Sequence, residues 1–356
     1  MRRRHPAERR AARVSAWRTV GAALARLGDR RIADLLAGAT PLGSGIGGRS
    51  AVLEVAGVPV FVKRVPLTER ELRPEHARST ANLFGLPTWY QYGVGSAGFG
   101  AWRELATHTL TTRWVLADAY QGFPLTYHWR VLPDTPPEVF VAEFGGIDGA
   151  VAHWEGSPAV RARLEAIGRA PASLVLFLEY VPHTLAGWLD ERRNAPEAGD
   201  HGSLLEWAEA ELAHGAAFLR ARRVVHFDAH FANVLTDGDL LYFADFGLAL
   251  SSRFTLSADE SRFLTDHLAY DHAYTASHLL RHHVLADLRD GAEYRRFLRD
   301  WLAGRPRPVV SAAHGALIDR HARVALLLHD FHHDLLTASK RTPFPAARLR
   351  RGATPP

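Results

Sequence analysis

The stretch HFDAHFANVLTDGDLLYFADFG, residues 226–247, places four aspartates, an asparagine and two histidines among many apolar residues. A core strand does not need so many ionisable groups, and a solvated loop would not carry so many leucine, valine and phenylalanine side chains. The mixture indicates a rigid apolar frame that presents a few acidic side chains to a ligand.

The segment between Asn233 and Asp245 predicts a β-hairpin with its turn at residues 237–239. A hairpin would bring Asn233 and Asp245 near each other, and carboxylate and amide oxygens are ligands suited to Mg²⁺. Asp228 lies at the mouth of the same loop, where it can orient or deprotonate an attacking hydroxyl. The aspartates of the turn are then ordinary turn residues.

These spacings resemble the catalytic loop and metal-binding triplet of the protein-kinase-like superfamily. Asp228 matches the catalytic aspartate, Asn233 the metal-binding asparagine and Asp245-Phe246-Gly247 the Asp-Phe-Gly element. The resemblance implies ATP and Mg²⁺ as cofactors, with Asn233 and Asp245 as metal ligands. A capped loop with incidental acidic residues is the alternative that makes no functional claim.

The segment GSGIGG, residues 43–48, fits the pattern G-x-G-x-x-G. A dinucleotide-binding fingerprint would follow a strand and open a helix, whereas these glycines precede a strand. A glycine hairpin over phosphates fits better, because backbone amides can approach an anion closely there. We expect Gly43, Ser44, Gly45 and Gly48 to contact the nucleotide, although Ser50 stands where the family has an apolar residue.

Lys63 stands in the apolar strand VPVFVKRV and is one of only two lysines in the chain. It resembles the strand lysine that contacts the α- and β-phosphates of ATP. The alternative is an edge-strand lysine whose amine reaches solvent.

A lysine on an apolar strand needs a carboxylate partner. Glu104, on the predicted helix of AWRELATHTLTTRWVL, is our choice, and we expect this segment to run from a helix into a strand. Glu69, Glu71 and Glu75 are closer in sequence and are the alternatives. Because the separation of Lys63 and Glu104 is longer than the family usually shows, residues 66–98 are interpreted as an insertion.

The segment LVLFLEYVPHTLAGWL resembles the strand, hinge and first helix between the lobes of kinases. The resemblance places Glu179 and Val181 at the hinge, where backbone groups bind the adenine edge. Any buried strand followed by a helix would give the same pattern.

The sequence defines the acceptor of the phosphoryl group less closely than it defines the nucleotide site. His230, two residues after Asp228, resembles the aminoglycoside-phosphotransferase-like branch, which phosphorylates small molecules, and no Ala-Pro-Glu follows Gly247. Asp-Phe-Gly itself is the protein-kinase form, and Phe227 replaces a glycine common in the small-molecule branch. A small-molecule hydroxyl is therefore the predicted acceptor, with a protein serine/threonine kinase or a nucleotide-binding pseudokinase or scaffold as alternatives.

The composition limits the remaining classes. The chain has 356 residues, a formal charge of +5 and no cysteine, which excludes disulfides and thiolate metal sites and fits a cytoplasmic location. No membrane span is predicted. The basic N-terminal helix is interpreted as a solvated face packed by Trp17, with nucleic acid or anionic lipid as the alternative. His329, His332 and His333 are interpreted as a polar helix face, with a metal site as the alternative.

Strands come first and helices later, which predicts an α+β protein. The resemblance implies a bilobal protein-kinase-like fold with a small β-rich N-lobe, a larger helical C-lobe and an extra N-terminal helical arm. We assign residues 1–38 to that arm, residues 39–181 to the nucleotide-binding N-lobe with insertions at about 66–98 and 132–172, and residues 182–356 to the C-lobe.

Overall fold

A computed structural model describes residues 5–45, 48–135, 141–194, 201–288, 290–305 and 310–352. The protein is mixed α+β, as predicted, with a five-stranded antiparallel sheet and an extensive helical part. The helices are α1 (Pro6–Ala25), α2 (Asp29–Ala37), α3 (Glu69–Leu72), α4 (Ala101–Leu116), α5 (Ile147–His153), α6 (Pro158–Gly168), α7 (Leu185–Asn194), α8 (His201–Ala221), α9 (Ala258–His267), α10 (Tyr270–Leu279), α11 (Gly291–Leu302), α12 (Ala312–Thr337) and α13 (Ala346–Gly352). The strands are β1 (Thr40–Gly45), β2 (Gly48–Val55), β3 (Val58–Leu67), β4 (Thr126–Pro133), β5 (Ala172–Glu179), β6 (His183–Thr184), β7 (Val224–Val225), β8 (Val234–Thr236), β9 (Leu241–Phe243) and β10 (Leu250–Ser251).

The chain divides into two compact units. The first contains Met1–Pro182 together with Ala244–Glu260, and the second contains His183–Phe243 together with Ser261–Pro356. The Asp-Phe-Gly segment therefore belongs with the sheet, and the loop that carries Asp228 belongs with the helices.

The sheet of the first unit has the strand order β1-β2-β3-β5-β4. Strands β2 and β3 form an antiparallel hairpin, in which the pairs run from Val55 with Val58 to Arg49 with Arg64. Gly57 has a positive φ of 75°, which suits the tight turn between the strands. Because β3 lies between β2 and β5, residues in its middle are surrounded by strands on both sides.

Helix α4 packs its apolar side on the sheet. Trp102 and Leu105 join a buried cluster with Leu174, Leu176 and Leu178 of β5. The prediction that the second half of this segment is a strand was wrong, because the helix continues to Leu116 and β4 begins only at Thr126. Its threonines tolerate the helix because their hydroxyl groups bond carbonyl oxygens of the preceding turn.

Helix α1 packs on the edge strand β4. Val20 and Leu24 are fully buried, and the indole nitrogen of Trp17 donates to the Thr126 carbonyl oxygen at 2.9 Å. A Cβ on Gly21 would lie only 3.0 Å from the Tyr127 carbonyl oxygen, so the glycine permits close packing. The predicted packing of this helix through Trp17 is confirmed.

The second unit is largely helical. Helices α8, α10 and α12 pack together, and α11 covers a buried cluster that includes Leu298, Ile318 and Leu280. Residues 257–285 contain α9, α10 and a π-helical turn at Leu280–Val284. Across the described ranges, no helix combines the length and apolar character that crossing a membrane requires.

Candidate functional site

The ammonium group of Lys63 lies between two carboxylates. Its Nζ is 2.8 Å from Glu104 Oε1 and 2.7 Å from Asp245 Oδ1. Lys63 stands in the middle of β3, paired with Ser50 on β2 and Leu176 on β5, and its side chain is only 9% exposed. Burial disfavours the charged amine, but the two carboxylates outweigh that effect and raise the pKa of Lys63 above its ordinary value.

Glu104 comes from the first turn of α4 and is almost fully buried. Burial raises the pKa of its carboxyl to about 6, against the lowering effect of Lys63 and with the nearby Asp245 charge adding to the rise. The glutamates closer in sequence are not partners of Lys63: Glu71 pairs with Arg163 at 2.8 Å, and Glu69 and Glu75 are exposed. The predicted Lys63–Glu104 ion pair is therefore present.

The position of α4 is fixed by buried charges that the sequence analysis did not identify. Glu71 Oε1 accepts a hydrogen bond of 2.9 Å from the Ala101 amide, which caps the helix. Arg103, next to Glu104, pairs with Glu260 at 2.6 Å and donates to the Thr80 carbonyl oxygen. Since both pairs are buried, α4 is held at its N-terminal turn.

Asp245 adopts an unusual backbone conformation. Its φ is +59°, in the left-handed region that non-glycine residues rarely occupy. Its Oδ1 also accepts from the Gly247 amide at 3.3 Å, and its side chain is 41% exposed. Phe246 is fully buried and packs its ring 5.0 Å from that of His108. The buried phenylalanine therefore anchors the segment, while the aspartate side chain contacts Lys63 and stays partly exposed. Strained residues of this kind concentrate at functional sites.

The predicted glycine loop is the hairpin of β1 and β2, in which Gly43 pairs with Ser50, Ser44 with Arg49, and Gly45 with Gly48. Residues 46 and 47 of the predicted loop lie outside the described residues.

Gly48 has a φ of +120°, and a Cβ there would meet the Arg64 carbonyl oxygen at 2.2 Å. Only glycine fits this contact, which brings the hairpin directly onto the residue that follows Lys63.

The hinge prediction concerns the end of β5. The Glu179 amide donates to the Leu125 carbonyl oxygen at 2.8 Å, and the Glu179 carboxylate accepts from Arg13 and from the Leu125 amide. Val181 is 9% exposed, and within the described part of the chain its backbone forms no hydrogen bond. A buried backbone without a partner is the kind of group that a ligand can satisfy.

The second unit presents Asp228 on a constrained loop. Asp271 of α10 accepts hydrogen bonds from the backbone amides of His226 at 2.7 Å and of Phe227 at 3.0 Å. Phe227 has a φ of +65°, and its ring packs against those of Phe263 and Tyr270. Asp271 is not predictable from local sequence, since an aspartate inside a helix more than forty residues away carries no local signal.

Asn233 and Asp228 are directly connected. Asn233 Nδ2 donates to the Asp228 carbonyl oxygen at 3.0 Å and to Oδ2 at 3.1 Å. Within the described residues, the amide oxygen of Asn233 forms no hydrogen bond. His230 accepts from the Ala232 amide through Nδ1, so the neutral ring carries its proton on Nε2, 3.8 Å from Asp228 Oδ1.

The predicted hairpin between Asn233 and Asp245 is confirmed: β8 and β9 pair Val234 with Phe243 and Thr236 with Leu241. Asp237 accepts hydrogen bonds from the amides of Asp239 and Leu240, as expected for a turn residue.

The donor groups of the described residues limit where a metal ion could bind. Among the described residues, no group of three or more histidine, cysteine, aspartate or glutamate side chains is arranged to hold a metal ion. The alternative histidine site on α12 is not formed, since His332 contacts the Tyr270 hydroxyl at 3.1 Å and Asp330 pairs with Arg295. Asn233 in the second unit and Asp245 in the first each carry oxygen atoms of the kind that Mg²⁺ takes from proteins.

No protein-family model matches the chain, and a search of curated proteins finds no match.

Proposed function

We propose that this protein is an ATP- and Mg²⁺-dependent phosphotransferase that moves the γ-phosphoryl group of ATP to a hydroxyl of a small molecule. The observation that carries the proposal is the ion pair of Lys63 with Glu104 beside Asp245. A buried lysine held between two carboxylates is costly to desolvate, and a structural role alone does not require it. A role in binding a phosphate ligand would account for a lysine held in this position.

Each residue has a role in this proposal. Lys63, held by Glu104, contacts the nucleotide phosphates, and the hairpin of Gly43, Ser44, Gly45 and Gly48 covers them. The backbone of Glu179 and Val181 binds the adenine edge. When bound, Mg²⁺ offsets the phosphate charge, and Asn233 and Asp245 would hold it.

The reaction transfers one phosphoryl group. A bond forms between the acceptor oxygen and the γ-phosphorus, the bond from that phosphorus to the β,γ-bridging oxygen breaks, and ADP leaves. Asp228 orients the acceptor hydroxyl and takes its proton. Asn233 fixes the Asp228 carboxylate through its Nδ2 hydrogen bond.

The fold and location are part of the same proposal. A bilobal protein-kinase-like arrangement would bring the residues of the two units to one nucleotide. A cytoplasmic location follows from ATP as the donor and fits a chain without cysteine.

Protein phosphorylation is a second candidate, favoured by the Asp-Phe-Gly sequence at residues 245–247. A nucleotide-binding pseudokinase or scaffold is a third. The presence of Asp228, Asn233 and Asp245 together favours an active enzyme over this alternative.

The test is ADP formation from MgATP with hydroxylated metabolites, hydroxyl-bearing antibiotics or generic protein substrates as acceptors. We expect a small-molecule acceptor to accelerate ADP release in the wild type and not in Asp228→Asn. Acceleration by protein substrates alone would favour a protein kinase. MgATP binding without turnover on any acceptor would favour a pseudokinase.

A further inference from the structure

Arg13 on α1 is a buried arginine with an unusually complete set of partners. Its side chain is 7% exposed. Nε donates to Glu179 Oε1 at 2.8 Å and Nη2 donates to Glu179 Oε2 at 2.7 Å. This is the two-point contact that matches a guanidinium to a carboxylate.

The same guanidinium also donates hydrogen bonds to the loop between α4 and β4. Nη1 donates to the Gln121 carbonyl oxygen at 2.8 Å, and Nη2 donates to the Phe123 carbonyl oxygen at 2.6 Å. The Glu179 carboxylate in turn accepts from the Leu125 amide at 3.0 Å. One side chain therefore connects α1, the loop before β4 and the last residue of β5.

We infer that Arg13 is a positioning residue for the adenine end of the nucleotide site, a role that rests on the function proposed above. Glu179 is held at its side chain by Arg13 and at its amide by Leu125. The orientation of the Val181 amide, two residues later, then depends on how firmly Glu179 is fixed. The N-terminal helix thus becomes part of the nucleotide site.

The consequence for base recognition follows from hydrogen-bond chemistry. N1 of adenine accepts a hydrogen bond, whereas N1 of guanine carries a hydrogen. A fixed amide donor at Val181 favours adenine, and a loosely held one discriminates less. Loss of Arg13 should therefore reduce the preference for ATP over GTP, an effect that a general loss of stability does not produce.

The experiment compares Arg13→Gln and Glu179→Gln with the wild type in dissociation constants for MgATP and MgGTP. Arg10→Gln is the matched control, since Arg10 lies on the same helix and donates to the Leu116 carbonyl oxygen without touching Glu179. We expect both test variants to weaken MgATP binding by at least about 10-fold and to lower the ATP-to-GTP preference. Arg10→Gln should leave the preference unchanged.

Lys63→Ala distinguishes a failure of the proposed nucleotide site from a failure of the role of Arg13. If the wild type binds MgATP and Lys63→Ala weakens it, the nucleotide site stands. Unchanged base preference in folded Arg13→Gln and Glu179→Gln would then overturn the role of Arg13 alone. If Arg13→Gln does not fold, Glu179→Gln decides. No MgATP binding by the wild type would reject the proposed function, and the inference with it.

Discussion

Lys63 and Asp245 are joined directly, with 2.7 Å between Nζ and Oδ1, while the same ammonium group contacts Glu104. An incoming phosphate would compete with Asp245 for the ammonium, and a divalent cation would compete with the ammonium for Asp245. Nucleotide and metal should therefore assist each other in binding. The phosphate releases Asp245 for the metal, and the metal releases the Lys63 ammonium group for the phosphate.

MgATP should raise the thermal unfolding temperature of the wild type, since a ligand that binds only the folded state stabilises it by mass action. ATP with a chelator should give a smaller rise. In Lys63→Ala, most of the rise in unfolding temperature with MgATP should be lost. Lys340→Ala is the matched control, because Lys340 is also buried and donates to the Leu335 carbonyl oxygen within the second unit. Equal responses of the two variants would contradict the assignment of Lys63.

The metal and base roles can be separated by two isosteric changes. Asp245→Asn should damage metal-dependent nucleotide binding. Asp228→Asn should leave binding nearly intact but reduce turnover by about 10²-fold or more, the usual scale for losing a general base. Binding by calorimetry and single-turnover rates would measure the two effects. Equal loss of nucleotide binding in both variants would contradict the separate roles of Asp245 and Asp228.

Glu104→Gln should lower kcat/KM by about 10-fold, equivalent to about 1.4 kcal/mol, without unfolding the protein, because Lys63 loses one of its two carboxylate partners. The amide keeps the shape of the carboxylate but removes the charge that opposes Lys63. Glu69→Gln and Glu75→Gln are controls, since both residues are exposed and closer to Lys63 in sequence. A larger effect in either control would count against Glu104.

Asp271 should make stability depend on pH. Burial raises the pKa of its carboxyl to about 7, against the lowering effect of the His226 and Phe227 amides. A raised pKa means that the folded state retains the proton, so the contribution is complete below about pH 4 and is lost as the pH rises through 7. The shift from 3.8 to about 7 corresponds to on the order of 4 kcal/mol at most.

Denaturant titrations from pH 4 to pH 8 would test this dependence. The free energy of unfolding of Asp271→Asn relative to the wild type should vary over that range. Asp287 is exposed, so the unfolding free energy of Asp287→Asn should change with pH as that of the wild type does. A constant difference between Asp271→Asn and the wild type would show that Asp271 does not titrate there.

Asp134 should hold the base of the glycine hairpin. Arg49 and Arg64 are cross-strand partners of like charge, and the Asp134 carboxylate pairs with both. Burial opposes ionisation of this carboxyl, but hydrogen bonds from Arg49 and Ser173 and the charge of Arg64 lower its pKa. Asp134→Asn should destabilise the protein by about 3 kcal/mol at neutral pH.

A lowered pKa gives a stabilising contribution that is present above the ordinary value of 3.8 and is lost at more acidic pH. The gap in unfolding free energy between Asp134→Asn and the wild type should therefore narrow below pH 4. Asp118→Asn is the control, because its ion pair with Arg10 is exposed. A gap that widens in acid would contradict the prediction.

Local patterns predicted much of the candidate site. The hairpin of β8 and β9 follows from apolar runs around an Asp-Gly turn, and strand β3 follows from the apolar run VPVFVKRV. The Lys63–Glu104 pair was predictable because a rare lysine on an apolar strand requires a carboxylate, and only one candidate stood on a long helix.

Long-range polar contacts were not predictable in this way. Arg13 and Glu179 are 166 positions apart, and Asp271 lies 45 positions from His226. Neither pair leaves a trace in composition or periodicity. The second half of α4 was misassigned for another reason: its threonines and tryptophan favour strands intrinsically, and burial of this part of the helix overrides that preference.

Lys63 and Lys340 are the only lysines, both are buried, and each belongs to a different unit. Arginine, which supplies the other basic side chains, stays protonated and is not acylated at neutral pH. In the folded protein, a reagent that acylates amines should thus spare both lysines. Partial opening of one unit would expose a single new amine, so adduct mass and peptide position would report which half of the molecule unfolds first.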